Sequence, residues 1–214
     1  MGNSMNITKQ QYLQNPCGAS SLPYWKAVNM AVPQNMLIQH DRAFCGACLT
    51  DYIDEPYFRL YHDLQGLRAA VLPDGYRLCE AAPADYAAHI NQCYGDGSIT
   101  EAEISAYGQH PVYSAELWVA VQAWDSQEIV ATGIAELDED VGEGILEWIQ
   151  VSPAYRGLGL GRYVVTELLN RMSKKARFAT VSGQVNNPSN PEGLYRKCGF
   201  QGNDVWHIMR KKRG

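Results

Sequence analysis

Six consecutive residues, Arg156-Gly157-Leu158-Gly159-Leu160-Gly161, have the makings of an anion cradle. They stand between a strand-like run, Ile145 to Val151, and a stretch in which Leu160, Val164, Val165, Leu168, Leu169 and Met172 recur at helical spacing. Glycines let backbone N–H groups crowd inward, the first N–H groups of a helix have no intrahelical acceptor, and the helix dipole is positive at that end. A ligand carrying phosphate is what such a turn can hold. The second chemical signal is Glu147, which shares strand parity with Ile145, Ile149 and Val151, so that a carboxylate projects from an otherwise apolar row. Burial without a charge partner raises a carboxylate pKa and suits a base working near neutrality. At a sheet splay facing water, or beside an arginine, the same residue would be structural. Glu116 and Glu136, on neighbouring predicted strands, are rival bases.

Spacing narrows the choice of phosphate ligand. The dinucleotide fingerprint G-x-G-x-x-G fails, because the glycines fall at 157, 159 and 161. The P-loop pattern fails too, since Arg162-Tyr163 follows Gly161 where Lys and Ser or Thr are needed. What remains, R-x-x-G-x-G behind a strand ending in V-x-P, resembles the acyl-CoA-binding motif of the GNAT superfamily of N-acetyltransferases. A second stretch agrees with it. After the turn Asn186-Asn187-Pro188-Ser189-Asn190-Pro191, the run Leu194-Tyr195-Arg196-Lys197-Cys198-Gly199-Phe200 looks like that family's L-Y-x-K-x-G-F signature.

The resemblance implies acetyl-CoA as cosubstrate. Ile149 and Val151 would lie along its pantetheine arm, and Arg156, Gly157, Leu158, Gly159, Leu160 and Gly161 would hold the pyrophosphate. It also places Tyr195 near the CoA sulfur, where a phenol with an ordinary pKa near 10 can protonate the leaving thiolate. Asn187 or Asn190 would hydrogen-bond the pantetheine or mark a helix start, and Asn190-Pro191 suits an N-cap followed by proline. Making an amide from a thioester needs a base for a mostly protonated amine and a fixed N–H donor facing the carbonyl oxygen. It requires no protein nucleophile and no metal.

The elements that must position these residues can be read around them. Tyr76 to Glu80 predicts a strand, and Ala84 to Tyr94 a helix stopped by Gly95-Asp96-Gly97. Ser98 to Glu103 contains two overlapping capping boxes, so a second helix should run from there to about Gly108–Pro111. Glu116–Trp124 and Glu128–Leu137 alternate like a hairpin around Asp125-Ser126-Gln127. Residues 179–185 predict a strand, 192–197 a short helix ended by Gly199 in the left-handed conformation, and the run through Met209 a last strand. The order β-α-α-β-β-β-α-β-α-β is what the resemblance implies. The fold class expected is α/β (α+β), a mixed, mostly antiparallel GNAT-like sheet flanked by helices.

The resemblance covers about residues 75–212, giving a catalytic domain over 75–214 and an extension over 1–74. That extension is rich in aromatics, which excludes disorder and predicts a segment packed on the catalytic domain. Within it, Asp51 to Leu67 is read as partly helical, with Phe58, Leu60, Tyr61 and Leu64 as core positions.

Composition sets the function classes aside. The 214 residues carry a net charge of −5, which argues against general nucleic-acid binding, and Arg210 to Arg213 reads as a solvated basic end. No apolar run is long enough for a membrane span and no signal peptide opens the sequence, so a cytoplasmic enzyme is expected. Of the six cysteines, only Cys45 and Cys48 form a C-x-x-C pair, with Cys17, His40 and His62 as conceivable further ligands. Structural zinc usually shows two such pairs, so no metal is expected and the cysteines read as small apolar groups.

Asp138, Glu139, Asp140, Glu143 and Glu147 outline a negative rim that would attract a cationic amine. The expected function is therefore direct acetyl transfer from acetyl-CoA to a small cationic primary amine, by a chain compatible with a homodimer. A silent acetyl-CoA-binding or regulatory domain is one alternative. A peptide or protein N-acetyltransferase using residues 1–74 as an interaction module is the other.

Overall fold

The computed structural model describes residues 7–94 and 99–212. Its elements run α1 (Lys9–Gln14), α2 (Pro16–Ala19), α3 (Tyr24–Asn29), β1 (Met36–His40), β2 (Tyr52–His62), β3 (Tyr76–Cys79), α4 (Pro83–Tyr94), α5 (Glu101–Ala106), β4 (Trp118–Ala123), β5 (Ile129–Asp138), β6 (Glu143–Val151), α6 (Leu160–Met172), β7 (Phe178–Gln184), α7 (Pro191–Lys197) and β8 (Gln201–Lys211). From β3 onward this is the order the sequence predicts, in a mixed α/β fold of eight mostly antiparallel strands flanked by helices. The glycine stop at 95–97 and the capping position at Ser98 lie outside the described residues. The other box is present: Thr100 and Glu103 cap α5 reciprocally.

Two compact units divide the chain, one of residues 63–179 and one joining residues 1–62 to 180–214. In the 63–179 unit the strand order is β6-β5-β4-β3, every pair antiparallel. Alternation gives its sheet two distinct faces. On one, Ile134 and Ala120 meet Tyr86, Ala87 and Ile90 of α4 and Ile104 of α5. On the other, α6 lies so close that a Cβ at Gly133 would collide with Val164 and Leu168, and one at Gly144 with Met172. The helix buries Leu160, Val164, Val165, Leu168, Leu169 and Met172 against that face, the periodic set read from the sequence.

In the other unit the order is β1-β8-β2-β7. Here one expectation is corrected: residues 52–62 form strand β2, not a partial helix. Phe58, Arg59 and Leu60 are buried in succession, so both faces of this stretch are covered and the alternation that marks a strand is erased. Phe58 and Leu60 are core residues as expected, and Leu64 is buried beyond the strand's end. The Arg59 guanidinium reaches Tyr12 on α1 and Thr180 and Ser182 on β7. Gly199, at a φ of 102°, turns the chain from α7 into β8 as predicted.

The close approach of α6 gives a stability prediction. Gly133→Ala forces Val164 and Leu168 aside and should destabilise the protein by about 1–3 kcal/mol in denaturant unfolding. Gly46→Ala, where an added Cβ meets nothing within 4 Å, should change stability by less than about 0.5 kcal/mol.

Candidate functional site

Strand β6 delivers the chain into the cradle. After Val151 the peptide turns through a single 3-10 turn, Pro153–Tyr155, and reaches Arg156, whose Nε donates to the Val151 carbonyl at 3.1 Å. Gly157 (φ 82°) and Gly159 (φ 88°) both need the left-handed region that favours glycine. Gly159 is the N-cap of α6 and supplies no side-chain cap, and no acidic residue occupies the first turn. The opening N–H groups of a thirteen-residue helix are thus offered to a ligand rather than to the protein's own side chains. Leu160 is buried as the hydrophobic anchor of the turn, Leu158 is exposed, and Pro73 stands 3.5 Å from where a Gly159 Cβ would lie.

The row of residues upstream differs from its sequence reading. Along β6, Trp148 faces Ile134 and Leu146 faces Ala135, leaving Glu147 without a Cα partner on β5. This is a β-bulge, and it shifts the alternation by one. Ile149 and Val151 therefore lie on the α6 face with Leu146, whereas Ile145 lies on the α4–α5 face with Trp148 and Gln150. Glu147 is half-buried at the bulge rather than a member of one apolar row. Its rivals separate as well: Glu116 is exposed on a 3-10 turn ahead of β4, not on the strand, and Glu136 is buried with His110 Nδ1 2.8 Å from its Oε1.

The acidic rim read from the sequence is split. Asp138 and Glu143 are buried and directly paired across the hairpin, while Glu139 and Asp140 face solvent and Glu139 pairs with Lys175 at 3.1 Å. Asp138 Oδ1 accepts from the Asp140 amide, which fixes the hairpin turn.

Sequence reasoning also missed a buried polar knot beneath the cradle. His89 of α4 sits with Nδ1 2.9 Å from Thr132 Oγ1 and Nε2 2.9 Å from Ser152 Oγ, and Cys93 Sγ lies 3.6 Å from the same Nε2. Ser152 is the residue that follows Val151, so this histidine ties the exit of β6 to α4 and β5. Burial pushes the His89 imidazole down to about 4. Burial also pushes the Cys93 thiol up, against an opposing influence from Arg156. The only trace in the sequence was a histidine on the apolar face of a predicted helix.

Tyr195, Asn187 and Asn190 belong to the other compact unit. Tyr195 is buried on α7 between Phe58 and Phe200, with ring centroids 6.2 and 5.8 Å away. Asn190 caps α7 through the Gly193 amide, with Pro191 at the first helical position. Asn187 accepts from the Ser189 amide and hydroxyl. Cys45 precedes a 3-10 turn and Cys48 lies within it, both as free thiols, and Cys198 closes α7. Among the described residues, no helix is long and apolar enough to cross a membrane.

A strand, a glycine turn and a helix N-terminus without a side-chain cap together present backbone amides in the way an anion site requires. Residues 114–202 match the family model of the acetyltransferase (GNAT) domain. The chain thus carries a GNAT acetyltransferase domain over these residues, within a fold shared with GNAT proteins. Its fold is similar to a GCN5-related N-acetyltransferase of Sphaerobacter thermophilus (TM-score 0.67, 18% identity, 84% of this chain and 61% of that one). It is also similar to a GCN5-related N-acetyltransferase of Kribbella flavida (TM-score 0.55, 17% identity, 84% and 68%). A GNAT-family acetyltransferase of Colwellia psychrerythraea is comparable (TM-score 0.56, 14% identity, 88% and 69%). The chain thus spans about three fifths of the length of the first of these relatives. No curated protein matches it by sequence.

Two predictions follow from this geometry. Gly159→Val puts a β-branched residue at positive φ in the cradle, and acetyl-CoA affinity measured by calorimetry should fall about tenfold or more, some 1.4 kcal/mol. Unchanged affinity in a folded variant would remove the cradle from the site. His89 binds its proton less readily folded (about 4) than unfolded (about 6.5). Its neutral form therefore contributes stability that is complete above about pH 6.5 and is lost as pH falls toward 4, at up to about 1.4 kcal/mol per pH unit. Unfolding free energies from pH 7 to 4 should show that slope, and His89→Gln should lack it.

Proposed function

We propose that this protein is an acetyl-CoA-dependent N-acetyltransferase that passes the acetyl group directly to a primary amine, with residues 151–161 holding the pyrophosphate. The observation that carries this reading is the uncapped start of α6, opened by two glycines at positive φ and joined to the end of β6 by the Arg156–Val151 bond. It supports binding of a doubly charged phosphate anhydride, because backbone amides and the helix dipole act together there. Ile149 and Val151 are proposed to lie along the pantetheine.

In the transfer step the amine must first lose a proton, after which its lone pair forms the C–N bond as the C–S bond breaks. Charge gathers on the thioester oxygen, and the ladder interruption at Glu147 is where a backbone amide can turn from its strand neighbour toward that oxygen. Tyr195 is proposed, from the family resemblance, to protonate the departing thiolate. Asn187 and Asn190 are proposed to act mainly by shaping the turn that leads to α7, since their side-chain oxygens already accept local amides.

The acceptor is proposed to be a small cationic amine. Three buried carboxylates, Glu136, Asp138 and Glu143, share one face of the β5–β6 hairpin and favour positive charge nearby. A peptide amine is the second choice. A reducing, intracellular setting is proposed, in keeping with cysteines that form no disulfide among the described residues.

The test is acetylation of a panel of polyamines, aminoglycosides, amino acids and peptides, followed by thiol release. Cationic small amines should be the best substrates, with rates that fall as salt rises. Acetyl-CoA binding without transfer to any amine would favour a silent binding domain instead. Tyr195→Phe should lower turnover about tenfold or more while leaving acetyl-CoA affinity within about twofold; intact turnover would make this tyrosine structural.

A further inference from the structure

We propose that His110, held by Glu136, is the base that takes the proton from the acceptor amine, an assignment that rests on the acetyl-transfer reading above. His110 follows the 3-10 turn at the end of α5, and Glu136 lies near the end of β5. Its Nδ1 is 2.8 Å from Glu136 Oε1, with 29% of the histidine side chain exposed and only 2% of the glutamate. The carboxylate is thus interior and the imidazole extends from it toward solvent.

An ionised carboxylate can only accept, so the hydrogen between them belongs to Nδ1, and the lone pair of the neutral ring is on Nε2. A buried carboxylate also stabilises the imidazolium that forms when that lone pair is used. Orienter and base stand in the order that general-base catalysis requires, and the base is part-exposed.

Side-chain contacts lead from the middle of β6 to this pair. The Tyr94 ring of α4 meets Trp148 edge-on at 5.9 Å. Trp148, beside the bulge, donates from Nε1 to the Tyr107 hydroxyl at 2.9 Å, and the Tyr107 ring is 4.8 Å from His110. Glu136 is in register with Ile145, six positions before Val151. That is about 20 Å of strand at ~3.3 Å per residue, the span that an acyl arm running from the cradle along the β6 backbone has to cover to reach the level of His110.

The groups around His110 fit a cationic acceptor. Glu136 faces it from β5 and Tyr107 from the preceding turn. Asp138 and Glu143 share the same sheet face one step further along the hairpin. Glu147 sits at the bulge and is the competing base. In the proposed step the neutral imidazole takes one proton from the ammonium nitrogen. The released lone pair forms the C–N bond, the thioester C–S bond breaks, and a second amine proton balances the thiolate to give the thiol. The imidazolium then returns its proton to water.

The experiment is a pH–rate profile with acetyl-CoA and spermidine (or the best amine of the panel), paired with acetyl-CoA calorimetry. The proteins are wild type, His110→Ala, His110→Gln, Glu136→Gln and Glu147→Gln. Both His110 variants should bind acetyl-CoA within about twofold of wild type, lose about a hundredfold in kcat/KM at pH 7, and lose the acidic limb. Added imidazole should restore part of the rate in His110→Ala. Glu136→Gln should lower kcat/KM about tenfold or more with acetyl-CoA affinity within about twofold of wild type, because the imidazole has lost the acceptor that orients it, whereas Glu147→Gln should keep the limb. A wild-type profile in either folded His110 variant, or a limb abolished by Glu147→Gln alone, overturns the assignment while leaving the transferase reading intact. Failure of the wild-type protein to bind acetyl-CoA would overturn both.

Discussion

The close seating of α6 on the β5–β6 hairpin is the constraint on which the cradle depends. Helix and sheet approach this closely because Gly133 and Gly144 carry no Cβ and Ala131 and Ala135 beside Gly133 carry no more than one. With its length pinned by Val164, Leu168 and Met172, the helix cannot slide along the strands. The position of its first turn is then set relative to the end of β6. The left-handed glycines finish what the packing begins. They let a chain leaving Val151 reverse within a few residues and enter α6 with its amides outward. A backbone anion site of the kind proposed is only as precise as the helix that carries it, so the small residues in the sheet would be as much part of it as the glycines in the turn.

Much of this was legible. Residues 75–212 announce their elements because local signals and tertiary structure agree: Thr100 and Glu103 cap α5, Asn190-Pro191 starts α7, Gly199 ends it, and the α6 period matches its buried face. Strand β2 was illegible for a physical reason. A strand covered on both sides has no polar alternate, and Phe58-Arg59-Leu60 reads equally well as one turn of an amphipathic helix with a buried arginine. The pairing of Glu136 with His110, and of His89 with Thr132 and Ser152, joins residues 26, 43 and 63 positions apart. No local pattern encodes such distances.

The bulge at Glu147 shows how one residue alters a whole reading. Strict alternation puts Ile145, Glu147, Ile149 and Val151 in one row, and the glutamate then looks like a buried charge in an apolar file. With an extra residue in the strand, the row breaks in two, and Ile145 crosses to the other face. Register is decided by which backbone groups pair, and pairing is invisible in a single strand's sequence.

The two faces of the hairpin consequently divide the labour. On the α6 face, Ala131, Gly133, Ala135, Gly144 and Leu146 are small or apolar residues that serve packing. The α4–α5 face carries Thr132, Glu136, Asp138, Glu143 and Gln150, each buried. Polar groups taken out of water must find partners, and α4 and the turn after α5 supply His89 and His110 to the row. These two histidines face opposite fates on the same surface. His89 is sealed between two hydroxyls and is kept neutral by burial, so it can brace the exit of β6 at any pH where the protein is folded well. His110 pairs with a carboxylate and keeps part of its ring in contact with solvent. The first environment suits a strut, and the second suits the proton-transfer role proposed for it.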